Sequence, residues 1–246
     1  MTSAPKVSIV ADYGAMSRRA AEIVAEAVTQ EPGAAISLPT GSTPLGMFDE
    51  LIGMARNGEI DLSQVHIFCL DEYLGVTAED PNSLTGWLWK AFLGPAGIPT
   101  RHVHALDTTD PDPESAAARY EQELIALGGL ELAVLGLGPN GHIAFNEPGS
   151  TADSRTRVVD LTPQSIEQSS AYWENTVPVP SQAMTIGVGT LLDARKLALI
   201  VSGKEKAGML RKTLEEPMSS DVPASWLRLA ADRLEVVADE AAMGKK

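Results

Sequence analysis

Three short segments of the 246-residue chain concentrate residues that do chemistry. The first is Leu38-Pro39-Thr40-Gly41-Ser42-Thr43-Pro44. Gly41 permits close backbone approach, hydroxyls flank it, and Pro44 suits a helix start. Free N–H groups and a positive dipole end at that start make a phosphate cradle. An ordinary capped turn has the same composition, and neither the P-loop pattern nor the dinucleotide fingerprint is present. The second segment is Phe68-Cys69-Leu70-Asp71-Glu72-Tyr73. Its adjacent carboxylates point opposite ways on an extended chain, so one at most faces a given pocket. A partly buried carboxylate there can act as a general base, and a solvated loop acid or helix cap is the competing reading. The third segment runs from Gly136 to Gly149, with His142, Asn140, Asn146 and Glu147 among four glycines. Glu147 can orient the His142 ring and fix its tautomer. A hydrogen-bonded loop around a satisfied histidine explains the same residues.

Other chemistries lack their residues. No GxSxG elbow occurs, and Cys69 sits inside an apolar run where a thiol is inert. One cysteine excludes an internal disulfide and a cysteine-rich zinc site. His66, His102 and His104 are scattered; the last two share one strand face but have no acid near them in sequence. They read as a solvated edge, and no metal site is expected.

Strands and helices alternate around these segments. Strands are expected at Val7–Ala11, Ala34–Leu38, Val65–Leu70, Leu130–Leu137, Met184–Val188, Lys196–Ser202 and Leu234–Val237. Helices are expected at Met16–Thr29, Leu45–Asn57, Ser83–Phe92, Pro113–Leu127 (capped by Asp112) and Glu205–Glu215. Near-continuous apolar strands between helices predict a mostly parallel sheet covered on both faces, a three-layer α/β fold in one domain over residues 1–246. In such sheets ligands collect beyond the carboxyl ends of the strands, where all three segments fall.

Nineteen Lys and Arg against 33 Asp and Glu leave a net charge of −14, which repels phosphodiester backbones and anionic membranes. No nucleic-acid or membrane partner is expected, while a small anion can still enter a locally positive pocket. Met1–Lys6 carries no apolar run and no stretch is apolar for about 18 residues, so a cytoplasmic protein is expected.

Taken together the segments resemble the glucosamine-6-phosphate deaminase family. So do Ser154-Arg155-Thr156-Arg157 and the run from Met184 to Asp193, and the ordered likeness spans Val7 to Val237. His142-Ile143-Ala144-Phe145-Asn146-Glu147-Pro148 is the most specific part. It separates this family from its 6-phosphogluconolactonase relatives, which keep an Asn-Gly-His core. The resemblance implies a Rossmann-like fold and conversion of an amino-sugar phosphate to a ketose phosphate plus ammonia, with no cofactor. It implies that Asp71 moves the proton between C2 and C1, with Glu72 as the neighbouring acid. It implies that His142 opens the ring with Glu147 and Asn140 as partners. Gly41, Ser42 and Thr43 match the phosphate loop, Thr40 and Gly141 belong to the same substrate-contacting set, and Lys206 matches a lysine that meets the phosphate.

Departures from the family pattern fall at three positions. Ala171 stands where well-studied members place a phosphate-binding arginine, and Arg228 is a candidate to replace it. Asn140 stands where some members have Asp, so it cannot carry charge. Val159 replaces a basic residue of the allosterically regulated members, which argues against that regulation. The competing activities are deamination of another amino-sugar phosphate such as galactosamine 6-phosphate, lactonase action, and non-catalytic sugar-phosphate binding. Monomer and homo-oligomer are both compatible with the sequence.

Overall fold

The computed structural model describes residues 4–170, 173 and 178–245. In chain order the elements are β1 (Lys6–Val10), α1 (Tyr13–Gln30), β2 (Ala35–Leu38), α2 (Leu45–Arg56), β3 (His66–Cys69) and β4 (Asp71–Tyr73). Then come α3 (Leu84–Leu88), β5 (Val103–His104), α4 (Pro113–Ala126), β6 (Leu132–Gly136), β7 (Arg157–Asp160) and α5 (Pro163–Ser170). The chain closes with β8 (Gln182–Thr185), α6 (Val188–Leu192), β9 (Lys196–Val201), α7 (Ala207–Glu215) and β10 (Leu234–Asp239). A 3-10 segment over Pro223–Arg233 leads into β10.

Seven strands form one sheet in the order β1-β10-β9-β6-β2-β3-β5, and every pairing in it is parallel. The central strands are apolar throughout because both faces are covered, and alternate residues serve opposite faces. In β6, Leu132 and Val134 join the layer of α1 and α2, with Met16, Val24 and Phe48. Ala133 and Leu135 join the layer of α4 and the 3-10 segment, with Tyr120, Leu124 and Leu227. Burying each Leu or Val side chain contributes roughly 1.5–3 kcal/mol, and Leu132→Ala would cost about 2–5 kcal/mol. Asp112 accepts from Ser115 N (3.1 Å) to cap α4 as expected, while α1 begins at Tyr13, ahead of the expected Met16, because Asp12 accepts from Ala15 N (2.8 Å) and caps it there.

The topology decides where a ligand sits. From β2 the chain proceeds outward to β3 and β5, and from β6 it proceeds the other way to β9 and β10. Neighbours β2 and β6 are therefore the switch point, and the loops that follow them part to leave a crevice. The loop after β2 is Thr40–Thr43, and the loop after β6 carries His142.

Two expectations change. Met184–Val188 is not a strand of the main sheet. Gln182–Thr185 is the middle strand of a second, antiparallel sheet, β4-β8-β7, and the chain turns helical at Val188. The expected helix Ser83–Phe92 is one short α turn, α3, continued by a π turn over Trp89–Leu93. The small sheet packs Tyr73, Phe145, Leu161 and Trp173 into a satellite core. It holds β4 directly beyond the end of β3, which sets Asp71 at the rim of the crevice.

Candidate active site

The crevice is a cavity of about 640 Å³ walled by the ends of β2, β4, β6 and β9. Thr40, Gly41, Ser42 and Thr43 line one end. Gly41 has φ +93°, the left-handed region that favours glycine, and open space lies where a side chain would project. The start of α2 stands behind this loop, so fixed partial positive charge faces the cavity. Lys206 lines the same end, from the 3-10 turn Lys204–Lys206 that follows β9. Its ammonium donates to the Leu137 carbonyl (2.8 Å), and burial lowers its pKa from 10.5. Glu205 lines the cavity beside it.

Asp71 lines the same cavity. Its pairing with Thr185 of β8 fixes the side chain's direction, and it is 8% exposed. Burial pushes its carboxyl from 3.8 up to about 7, and the Glu72 charge adds to the rise. A carboxyl so placed is split between base and acid at neutral pH, the condition general-base catalysis needs.

Glu72 takes the other face of β4, as strand alternation requires, and is not a cavity residue. Its carboxylate accepts from Ser83 Oγ (2.6 Å), Thr85 N (2.9 Å), Tyr73 N (3.0 Å) and Leu84 N (3.1 Å). The expectation of a catalytic acid at Glu72 is thereby replaced: four donors occupy it, and it anchors the start of α3.

His142 lines the cavity too. Its ring lies against the backbone of Gly138, in the space a Cβ there would fill. Glu147 Oε2 lies 3.6 Å from its Nδ1, within ion-pair range and beyond a hydrogen bond, and Ser165 Oγ lies 3.4 Å from the same nitrogen. Burial raises the Glu147 pKa, but the adjacent His142 ring, Ser165 and Asn140 outweigh it and hold the carboxyl at about 2. Glu147 is therefore anionic beside the His142 ring. Asn140 does not touch the ring. Its Nδ2 donates to Glu147 Oε2 (2.7 Å) and its Oδ1 accepts from His142 N (3.1 Å), so one amide fixes both residues. Thr162 closes the arrangement, its hydroxyl donating to Glu147 Oε2 (3.3 Å) and accepting from Asn140 Nδ2 (3.3 Å).

The loop itself is held under strain. Among the described residues Ala144 is the one non-glycine with positive φ (48°), and it lines the cavity. Asn146, fully buried, pins the loop by donating to Ile143 O (3.0 Å) and Ile186 O (2.8 Å), while Arg157 donates to its Oδ1 (3.0 Å). Gly141, expected among the substrate-contacting residues, is not in the cavity lining. It has φ +87° and packs where a Cβ would meet Val222 Cγ1 at 2.9 Å, so it shapes the turn that delivers His142.

The remaining expectations fall elsewhere. Ala171 lies outside the described residues. Arg228 is not in the cavity wall and donates to the Glu216 carbonyl (2.5 Å), so it does not stand in for the arginine. The three scattered histidines gather at the sheet edge. His66 Nδ1 and His104 Nε2 are 2.9 Å apart, the His66 and His102 rings are 4.3 Å apart, and Glu123 supplies an acid 3.1 Å from His104 Nδ1. The register of β3 on β5 brings them together. His66 and His104 are hydrogen-bonded to each other while the His102 Nδ1 is buried without a partner, and among the described residues no group of three or more such side chains is placed to hold a metal ion. Thr162 and Ser165 were missed from sequence, although Thr-Pro-x-Ser reads as the start of α5.

Comparison with known proteins identifies the family. Residues 11–236 match the family described as glucosamine-6-phosphate isomerases/6-phosphogluconolactonase. The chain is 38% identical over 237 residues to the glucosamine-6-phosphate deaminase of Thermoanaerobacter pseudethanolicus, covering 96% of this chain and 94% of that one. A solved monomeric glucosamine-6-phosphate deaminase superposes with a TM-score of 0.93 at 34% identity, over 98% of this chain and 100% of that one. The 6-phosphogluconolactonase of Trypanosoma cruzi, at 21% identity and a TM-score of 0.77 over 99% and 97% of the two chains, shares the fold. The chain belongs to the glucosamine-6-phosphate isomerase/6-phosphogluconolactonase family.

Proposed function

We propose that this chain is an enzyme that converts glucosamine 6-phosphate and water to fructose 6-phosphate and ammonia. One observation carries the reading. Asp71, held near neutrality, and His142, held by an anionic Glu147, face one cavity whose far end is a phosphate cradle. Environments that push two carboxyls apart, to about 7 and about 2, assign them different tasks.

The steps follow from those positions. Gly41–Thr43 and Lys206 bind the phosphate. His142 passes a proton from the C1 hydroxyl to the ring oxygen, which opens the ring. The Asp71 carboxylate removes the C2 proton and returns it at C1 while a proton passes from the amine nitrogen to the C1 oxygen, leaving a ketimine at C2. Water adds to that carbon and the amine departs as ammonia. Glu147, Asn140 and Thr162 touch no substrate in this scheme and hold the imidazole in place. All of these groups come from a single chain, a set compatible with a monomer and with a homo-oligomer alike. A cytoplasmic place follows from the substrate, since a charged sugar phosphate does not cross a bilayer unaided. No helix among the described residues is long and apolar enough to cross a membrane.

Lactone hydrolysis needs no base at C2 and leaves Asp71 without a task. The deciding assay offers glucosamine 6-phosphate, galactosamine 6-phosphate and 6-phosphogluconolactone in parallel. Ammonia from the first is the expected result. Ammonia from the second alone moves the assignment to that sugar, and lactone hydrolysis without ammonia overturns it.

A further inference from the structure

Lys206 is the one lysine or arginine among the described residues that line the cavity, and Glu205 lines it too. A phosphate dianion held there depends on neutral donors beyond the loop and the lysine. Tyr13, the first residue of α1, is such a donor. It is brought to the cradle from the far edge of the sheet and lines the cavity. Its hydroxyl oxygen accepts from Gly46 N in the first turn of α2 (2.8 Å). Its proton goes to the Ser42 carbonyl at 3.3 Å, which is long for an O–H donor. A long bond to a neutral carbonyl is readily exchanged for a short one to an anion. Accepting an N–H at a helix start also polarises the hydroxyl toward donation.

The position is built into the packing. A Cβ on Gly46 would meet Ser17 Cβ at 2.9 Å and Tyr13 Cε1 at 3.1 Å, so the glycine lets the first turn of α2 press against the tyrosine ring. The phenol is thus fixed beside Ser42 before any ligand arrives, and little ordering entropy is lost on binding.

We infer that the Tyr13 hydroxyl is a further phosphate-binding group, donating to the substrate's phosphate and setting the preference for phosphorylated over unphosphorylated sugar. The inference rests on the proposed phosphate end of the cavity. The test is Tyr13→Phe, which keeps the ring and removes the donor. Expected are a rise of about ten-fold in KM for glucosamine 6-phosphate, an equal weakening of inorganic phosphate binding by calorimetry, and kcat within about two-fold. The kcat/KM for unphosphorylated glucosamine stays unchanged. Incorporating 3-fluorotyrosine, a stronger donor and weaker acceptor, separates ligand binding from loop support. Tighter phosphate binding supports the inference, and weaker binding means the hydroxyl serves only to hold Gly46, which overturns it. Unchanged KM and phosphate affinity in Tyr13→Phe, or a loss confined to kcat, also overturns it. Phosphate binding that depends on Tyr13 in a protein releasing no ammonia would sustain this inference and defeat the deaminase reading instead.

Discussion

Replacing Asp71 with asparagine should lower turnover and raise stability together, and the structure sets both magnitudes. The wild-type carboxyl is raised from 3.8 to about 7, chiefly by burial and then by Glu72. A carboxyl raised on folding leaves stability fully present below its unfolded pKa and lost as pH climbs through the folded value. At about 1.4 kcal/mol per pKa unit, holding the anion costs the fold on the order of 4 kcal/mol above neutrality. Asparagine has the same shape and stays neutral, so it escapes this cost but must place an N–H pair in a buried wall. That offsets about 1–3 kcal/mol of the gain. Urea denaturation at pH 5 and pH 8.5 measures the effect. The variant should be more stable than wild type by about 1–3 kcal/mol at pH 8.5, and the gap should close or reverse at pH 5. Turnover should fall by at least about 10² because the base is gone. In the wild type kcat/KM should rise with pH through about 7 as Asp71 ionises. A wild-type to variant gap with no pH dependence would refute the raised carboxyl, and with it the assignment of the base.

Other perturbations probe the rest of the site. Lys206→Ala should raise KM for the phosphorylated sugar and lower kcat/KM by about 10- to 150-fold with the melting temperature little changed; steady-state kinetics would show an error as an unaltered KM. Gly138→Ala places a methyl in the space of the His142 ring, so kcat for the cyclic substrate should drop at least about ten-fold while phosphate affinity holds, a split visible in the same kinetics. At the sheet edge, burial lowers the His66 pKa, with His102, His104 and Arg101 adding to it. A histidine depressed on folding supports stability above its unfolded pKa and loses it as pH falls. Wild-type melting temperature should therefore fall relative to that of His66→Gln as pH drops below about 6.5. Parallel pH profiles would show that the cluster does not titrate on unfolding.

What the sequence revealed followed from how strongly each element is patterned. Leu130–Leu137 and Lys196–Ser202 were legible because strands buried on both faces are continuous apolar runs, and β6 and β9 lie inside them. The small sheet was not, because Asp71–Tyr73 and Arg157–Asp160 are three and four residues of mixed polarity with no period to detect. Alternation showed that Asp71 and Glu72 diverge, but which one meets the cavity depends on the β4–β8 register and on where α3 begins. The family pattern named both acids; the backbone N–H groups of Leu84 and Thr85 withdraw Glu72 from the cavity. The histidine cluster was invisible for a related reason. His66 and His104 are 38 positions apart, and a parallel register set by buried neighbours makes them touch. Thr162 and Ser165 carried a helix-start signal whose link to His142 is purely tertiary.

The central claim is that one cavity both isomerises an amino-sugar phosphate and releases its amine. Incubation with glucosamine 6-phosphate in deuterated buffer containing a chelator, followed by NMR, tests it directly. Expected are ammonium and fructose 6-phosphate in equal amounts, deuterium at C1 of the product from exchange on the Asp71 carboxyl, and suppression of all three signals by about 10² or more in Asp71→Asn. Absence of ammonium, loss of it on chelation, or undiminished release by the Asp71 variant would contradict the account.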